Sequence, residues 1–485
     1  MYNPVELHFN EEIMKITAQR CRELGIRIPT FAEQENPELI PDSVKKRLPS
    51  IGLWDIDPIN LHRITWKNDV KTGLFGGVNY LEFPSSITGV KARVIGLVGK
   101  YFPTGAHKVG AAFGCLVPRL ISGEFNPLTQ RAVWPSTGNY CRGGAFDCAL
   151  LACTPVAILP QEMSQERFDW LREIGAEVIA TPGSESNVKE IYDKCWEIRN
   201  TDKNAVIFNQ FDEFGNCIWH YEVTGAAILE LYKKLAGPKS RFTAYVSATG
   251  SAGTIGAGER LRKVFPSMKM VATEALQCPT LYNNGFGAHR IEGIGDKHVP
   301  WIHNVRNTDA VAAIDDEDTM RVYRMFNEPA GLAYLKEQGV SAEVIENLPL
   351  VGISGVCNML AAVKTAKYFE MDENDVIFTI LTDSSEMYGS RIKEMNDERG
   401  VFTRDNAVIA FEGSLVKQGK DNYRELGYWD RKALHNLKYF TWVEQQGKDP
   451  RDLDAIWHPE FWDNIFSVIP QWEKAIVEFN QLVGL

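Results

Sequence analysis

No stretch of about 18 apolar residues occurs in this chain, so no membrane-spanning helix is expected. No block of lysine and arginine occurs either. The balance runs the other way, with 52 basic against 63 acidic side chains and a net charge of -11. A nucleic-acid binder carries a basic surplus, so that class is set aside. The nine cysteines are an odd number, and no two stand in a Cys-x-x-Cys pair. This argues against a disulfide framework and against a structural zinc site, and for reduced thiols. Cys141, Cys148 and Cys153 read as small core hydrophobes. The start, "MYNPVELHFNEEIMK", lacks the basic head and apolar centre of a signal peptide, so a cytoplasmic location is expected. There is no His-Glu-x-x-His, and "GISG" is one residue short of a nucleophile elbow, so neither a metal-dependent nor a serine hydrolase is supported. No metal site is expected.

What is present is an ordinary globular composition, 44% hydrophobic and 24% charged, long enough for a large core. Residues 1–90 read as irregular connections between short helices. Regularity begins near residue 90. "ARVIGLVGKYF", "RAVWPS", "PVAILP", "AEVIATPG", "YVSATG", "KMVATEA" and "NDVIFTILTD" read as strands. "GAHKVGAAFGCLVPRLI", "GGAFDCALLACT", "SQERFDWLREIG" and "IGAGERLRKVF" read as helices between them. Alternation of this kind signals βαβ units, and the short continuous apolar strands suit parallel sheets covered on both faces. The tryptophan-rich last 85 or so residues read as an appended helical segment.

Four short stretches can carry chemistry. In "YFPTGAHKVGAAFG", Lys108 stands at a predicted helix start, where the dipole disfavours a cation. Desolvation there lowers a lysine pKa, and an amine without its proton is a nucleophile. The plain alternative is an exposed lysine. "SATGSAGTIGAGERLR" runs from strand to helix through Gly250, Ser251, Ala252, Gly253 and Thr254. Small residues at a helix N-terminus cradle anions, although an empty tight turn reads the same way. No Walker lysine follows, so a nucleoside triphosphate is disfavoured. "WPSTGNYCRGGAF" sets Ser136, Thr137 and Asn139 where a carboxylate or a simple helix cap would use them. "TILTDSSEMYGSR" places Ser384 and Ser385 at the carboxyl end of a buried strand, where ligands of open α/β sheets lie.

Together these stretches resemble the fold-type II pyridoxal phosphate enzymes, the group of cysteine synthase, cystathionine β-synthase and the tryptophan synthase β chain. "PTGAHK" is similar to the lysine motif, "PSTGNY" to the carboxylate loop and "GSAGTIG" to the phosphate loop. "LPQEMSQERFDWLREIGAEVIATPG", "NQFDEFGNCIWHYEVTG", "HRIEGIGDKHVP", "VGISG" and "LTDSSEMY" match further family segments in family order, over residues 90–392 or so. The resemblance implies two three-layer αβα domains with mostly parallel twisted sheets, tryptophan synthase β-like, with helical N- and C-terminal extensions. It implies pyridoxal 5'-phosphate as cofactor, held as an internal aldimine by Lys108. The phosphate would lie on Gly250, Ser251, Ala252, Gly253 and Thr254. Asn139 would bond the cofactor's phenolic oxygen. Ser136, Thr137, Asn139, Tyr140 and Gln210 would hold the substrate carboxylate. Ser384 would face the pyridine nitrogen, with Asp383 and Ser385 as alternatives in that register.

The implied reaction is β-elimination or β-replacement on an amino acid through an aminoacrylate, with Lys108 moving the α-proton. The alternatives are carbon–carbon cleavage or thiolysis of a keto-amino acid by a β subunit, or another lyase, racemase or deaminase reaction. A hydroxyl at the ring nitrogen favours the first; Asp383 leaves the others open. Trp134 and Pro135 stand where tryptophan synthases carry a catalytic glutamate, so indole chemistry is not expected. Arg142 replaces a smaller family residue, and meets either a second substrate carboxylate or a surface acid. His107 reads as packing or a phosphate contact before it reads as a base. The expected organisation is an N-terminal extension (1–90), a large cofactor domain (91–130 and 226–392), a smaller mobile substrate domain (131–225) and a C-terminal extension (393–485). The expected partners are a small amino-acid substrate and a second copy of the chain in a homodimer, with a small partner subunit left open and neither nucleic acid nor membrane.

Overall fold

The computed structural model describes residues 8–136, 138–163, 165–183, 188–295 and 297–484. Eleven strands form two sheets: β1 (Tyr80–Phe83), β2 (Arg93–Val98), β3 (Arg131–Pro135), β4 (Thr154–Pro160), β5 (Glu177–Thr181), β6 (Ala205–Ile207), β7 (Arg241–Ala248), β8 (Lys269–Ala275), β9 (Ala310–Ile314), β10 (Asp375–Leu381) and β11 (Tyr423–Glu425). The helices used below are α1 (Glu11–Leu24), α2 (Lys108–Ser122), α3 (Asn139–Leu150), α4 (Gln165–Glu173), α5 (Phe214–Trp219), α6 (Ile255–Val264), α7 (Ile353–Tyr368), α8 (Gly389–Arg399), α9 (Tyr428–Lys438) and α10 (Ile469–Val483).

The larger sheet runs β11-β9-β8-β7-β10-β2-β1 and is parallel except at its two edge strands. The smaller sheet runs β5-β4-β3-β6 and is parallel throughout. Helices cover both, as continuous apolar strands require: every residue of β10 is buried. The mixed α/β architecture expected from the sequence is therefore the one observed.

Several strands escaped the sequence reading. β9 is "AVAAI", whose alanines carry little strand propensity; it is a strand because both faces are covered. β1 is a four-residue edge strand in a segment read as irregular, and the Glu82–Arg93 ion pair (2.7 Å) ties it to β2.

The terminal segments pack on the helix that begins with Lys108. Phe31 meets Phe113 of α2 edge-on at 6.1 Å and Trp472 of α10 at 5.9 Å. Asn480 of α10 grips the backbone of Ile28 through both amide atoms, at 3.1 and 2.8 Å. Among the described residues no helix is long and apolar enough to cross a membrane.

Candidate active site

Three chain segments converge on Lys108. Its Nζ donates to Gln210 Oε1 at 3.1 Å and to Ser251 Oγ at 3.3 Å. Gln210 in turn donates to Ser136 Oγ at 3.2 Å, and that oxygen also accepts from the Gly138 N–H at 3.1 Å. The amine, the 250–254 turn and the 136–139 loop thus share one hydrogen-bonded chain. Thr137 lies outside the described residues.

Lys108 reaches this point because the chain turns sharply before it. Thr104 takes a left-handed φ of +69° and Gly105 one of +71°, which drops His107 and Lys108 into the crevice at the end of β10. The His107 N–H donates to the Thr382 carbonyl there, at 3.3 Å. The His107 ring is fully buried, 4.9 Å from the His220 ring. Burial, with the adjacent Lys108 charge second, holds it down to about 3, so it is neutral and is not a proton carrier near pH 7.

The 250–254 turn is built to receive an anion. Among the described residues, none of the five N–H groups from Gly250 to Thr254 donates to a protein oxygen. They precede the N-terminus of α6 and line a cavity with Lys108, His107, Gly293, Asn358 and Thr382. The helix dipole adds positive potential at this end. A Cβ at Gly253 would lie 2.0 Å from Asn216 Oδ1, so only glycine admits the amide packed beneath the turn. Asn216 is fully buried; its Nδ2 donates to Ser251 Oγ and to the Gln210 carbonyl, each at 3.0 Å.

A matching family model decides which anion: "Pyridoxal-phosphate dependent enzyme" matches residues 100–383, more than half of the chain. The chain belongs to that family. The probable cysteine synthase of Bacillus subtilis is 30% identical over 287 residues, which cover 59% of this chain and 85% of the relative. A cysteine synthase of Staphylococcus aureus is 27% identical over 318 residues, 65% of this chain and 94% of the relative. Among solved structures, O-acetylserine sulfhydrylase isoform 3 of Entamoeba histolytica superposes with a TM-score of 0.56 at 24% identity, over 70% of this chain and 94% of the other. The chain is therefore a pyridoxal phosphate-dependent enzyme of fold type II.

The residues present fit that cofactor. Five unengaged N–H groups in a row suit a phosphate, and the amine lines the same cavity. Orphaned buried polar atoms belong to residues that line the space: among the described residues both nitrogens of His107 and Asn358 Oδ1 have no partner.

The remaining site residues divide between the cavity and its surroundings. Asn139 Nδ2 donates to Asp383 Oδ2 at 2.6 Å, and the Tyr388 hydroxyl donates to the same oxygen, also at 2.6 Å. Burial raises the Asp383 carboxyl, and these two donors pull it back. Asp383 is thus engaged with Asn139 and Tyr388, and Thr382, not Ser384, lines the Lys108 cavity. Ser384 is buried at the start of the turn Ser385–Tyr388. The Tyr140 ring turns towards the core, edge-on to Trp134 at 5.4 Å; only its backbone N–H, in the first turn of α3, remains to meet a carboxylate. Arg142 is buried and, among the described residues, forms no surface ion pair. Asn216, Asn358 and Thr382 were not singled out from the sequence. Asn216 alone had a signal, as the asparagine of "NQFDEFGN".

Proposed function

We propose that this enzyme catalyses β-elimination or β-replacement on an amino acid, with Lys108 as the group that holds the cofactor and moves the substrate α-proton. The 250–254 turn would hold the phosphate through its N–H groups and the α6 dipole. Ser136, Gln210 and the N–H groups opening α3 would hold the α-carboxylate, with Thr137 part of the same loop. Asn139 would sit at the cofactor's phenolic oxygen. Bound pyridoxal phosphate supplies the electrophilic carbonyl and the electron sink at the α-carbon.

The protein selects among the reactions open to that chemistry. Lys108 Nζ is held by Gln210 and Ser251 on one side of the cavity, a fixed position from which to take a proton and return it. One observation favours β-chemistry over carbon–carbon cleavage. At the end of β10 the cavity is lined by the hydroxyl residue Thr382, while Asp383 Oδ2 accepts from Asn139 and Tyr388 and its Oδ1, unpartnered among the described residues, lies against Gly352. A hydroxyl places no proton on a ring nitrogen, and an unprotonated ring favours quick loss of a β-leaving group. The cysteine synthases among its relatives support the same reading. The residues of the smaller sheet would form the mobile substrate domain, and the working unit would be a homodimer.

The test is turnover of the purified holoenzyme on β-substituted L-alanines. Release of the β-substituent is expected, with pyruvate in water or a thioether when a thiol is supplied. Lys108→Ala should abolish it, together with borohydride fixation of the cofactor. Substrate cleavage between carbons, with the β-substituted panel inert, would overturn the reading.

A further inference from the structure

Arg142 is the least explained charge near the site. It lies in the first turn of α3, three residues after Asn139 and therefore on the same face. The residue is only 3% exposed. Its guanidinium stacks on the Trp170 ring at 4.6 Å and the Trp54 ring at 5.4 Å. Its Nη1 contacts Met387 Sδ at 3.2 Å, and among the described residues its Nε has no partner. Among the described residues no carboxylate lies within ion-pair distance of it. Of the two nearby acids, Asp383 accepts from Asn139 and Tyr388 through Oδ2 and acts on Arg142 only from beyond ion-pair distance, and Glu292 pairs with Arg167 (3.0 Å) and Arg391.

A buried cation without an anion is costly, on the order of several kcal/mol. Burial and the neighbouring Arg167 charge lower Arg142 only to about 10, so it stays charged at neutral pH. The two rings stand nearly perpendicular to each other (84°), so they cover one side of the guanidinium, and its Nε–H, unpartnered among the described residues, remains for an anion. The guanidinium's surroundings adjoin the turn that precedes Lys108. Met387, which Nη1 touches, is 3.8 Å from where a Cβ would stand on Gly105, three residues before Lys108.

We infer that Arg142 receives a second carboxylate, carried on the β-substituent of the substrate, so that the preferred substrates are amino acids with an acidic side chain. The inference rests on the β-chemistry proposed above. It also sets aside the surface ion pair as the role of Arg142.

Two esters of L-serine separate the cases. O-succinyl-L-serine and O-butyryl-L-serine share chain length and leaving-group chemistry and differ in the terminal carboxylate. The wild-type holoenzyme should show a kcat/KM about 10- to 100-fold higher for the succinyl ester, the range of a hydrogen bond between charged groups. Arg142→Gln should bring that ratio near one, and Arg142→Lys should restore part of it. Equal use of both esters by wild type, or an unchanged ratio in Arg142→Gln, would overturn the inference. Should neither ester react, the β-chemistry fails and binding still decides the role of Arg142. L-2-Aminoadipate and L-norleucine carry no β-leaving group. Calorimetry should then find the first at least about tenfold tighter, and equal affinity would overturn the inference on its own.

Discussion

Replacing Gly253 by alanine tests the cradle most directly. Gly253 does not occupy the left-handed region, so alanine meets no backbone penalty there and the effect is one of space. The new Cβ would stand 2.0 Å from Asn216 Oδ1, 2.6 Å from its Cγ and 2.8 Å from its Nδ2. The whole amide must move, and it is fully buried. Overpacking of this kind costs ~1–3 kcal/mol. Asn216 also loses its bonds to Ser251 Oγ and the Gln210 carbonyl, at about 1 kcal/mol each. Urea unfolding of the apoprotein should therefore show a loss of about 3–5 kcal/mol. Because Ser251 and Gln210 both accept from Lys108, spectroscopic titration should show pyridoxal phosphate bound at least about tenfold more weakly, ~1.4 kcal/mol. Gly413→Ala, inside the helical segment Ala410–Val416 with nothing within 4 Å of the new atom, is the control and should gain up to about 1 kcal/mol rather than lose stability. The double variant Gly253→Ala/Asn216→Ala removes the clash, and should be more stable than the two single changes added together by about 1–2 kcal/mol. Strict additivity, or a Gly253→Ala protein as stable as wild type, would refute the reasoning.

Two more outcomes are expected. Asp383→Ala leaves the Asn139 amide and the Tyr388 hydroxyl buried without their acceptor, so unfolding free energy should fall by about 2–3 kcal/mol, whereas Asp383→Asn, which keeps a carbonyl oxygen, should lose less; equal losses would count against this account. His435 is buried at the C-terminal segment with Nε2 2.9 Å from the Leu453 carbonyl, and burial holds it down to about 3, below its unfolded value of 6.5. The unfolded state then binds the extra proton between those values, so stability is present at neutral pH and is lost as pH falls from about 6.5 towards 3. His435→Gln should remove about 1.4 kcal/mol per pH unit of that slope between pH 4 and 6, read from urea midpoints across pH.

Much of the site was legible because its pieces are local. The turn before Lys108 and the glycine-rich run ahead of α6 are contiguous stretches, and small residues at a strand-to-helix junction have few other physical uses. The apolar strands were legible for the same reason: "VIFTIL" admits burial on both faces and little else. What stayed hidden depends on distant segments meeting. Asn216 matters only because α5 brings it under Gly253. Thr382 lines the cavity, and Ser384 does not, because of how the chain leaves β10, and spacing alone left the choice open among neighbours. Arg142 could be read as solvated or engaged until Trp54 and Trp170, 116 positions apart, were seen to enclose it. β9 was missed because alanine becomes a strand residue only when its neighbours cover it.

Trp54 comes from the segment ahead of the family-matched region, yet its ring edge lies 3.0 Å from where a side chain would begin on Gly105. The wall beside Lys108 is therefore partly made of sequence that the family-matched region does not encode. Two chains with the same core and different leading segments would run the same reaction on different molecules. Exchanging residues 8–90 between such chains should carry substrate preference with it and leave the chemistry behind.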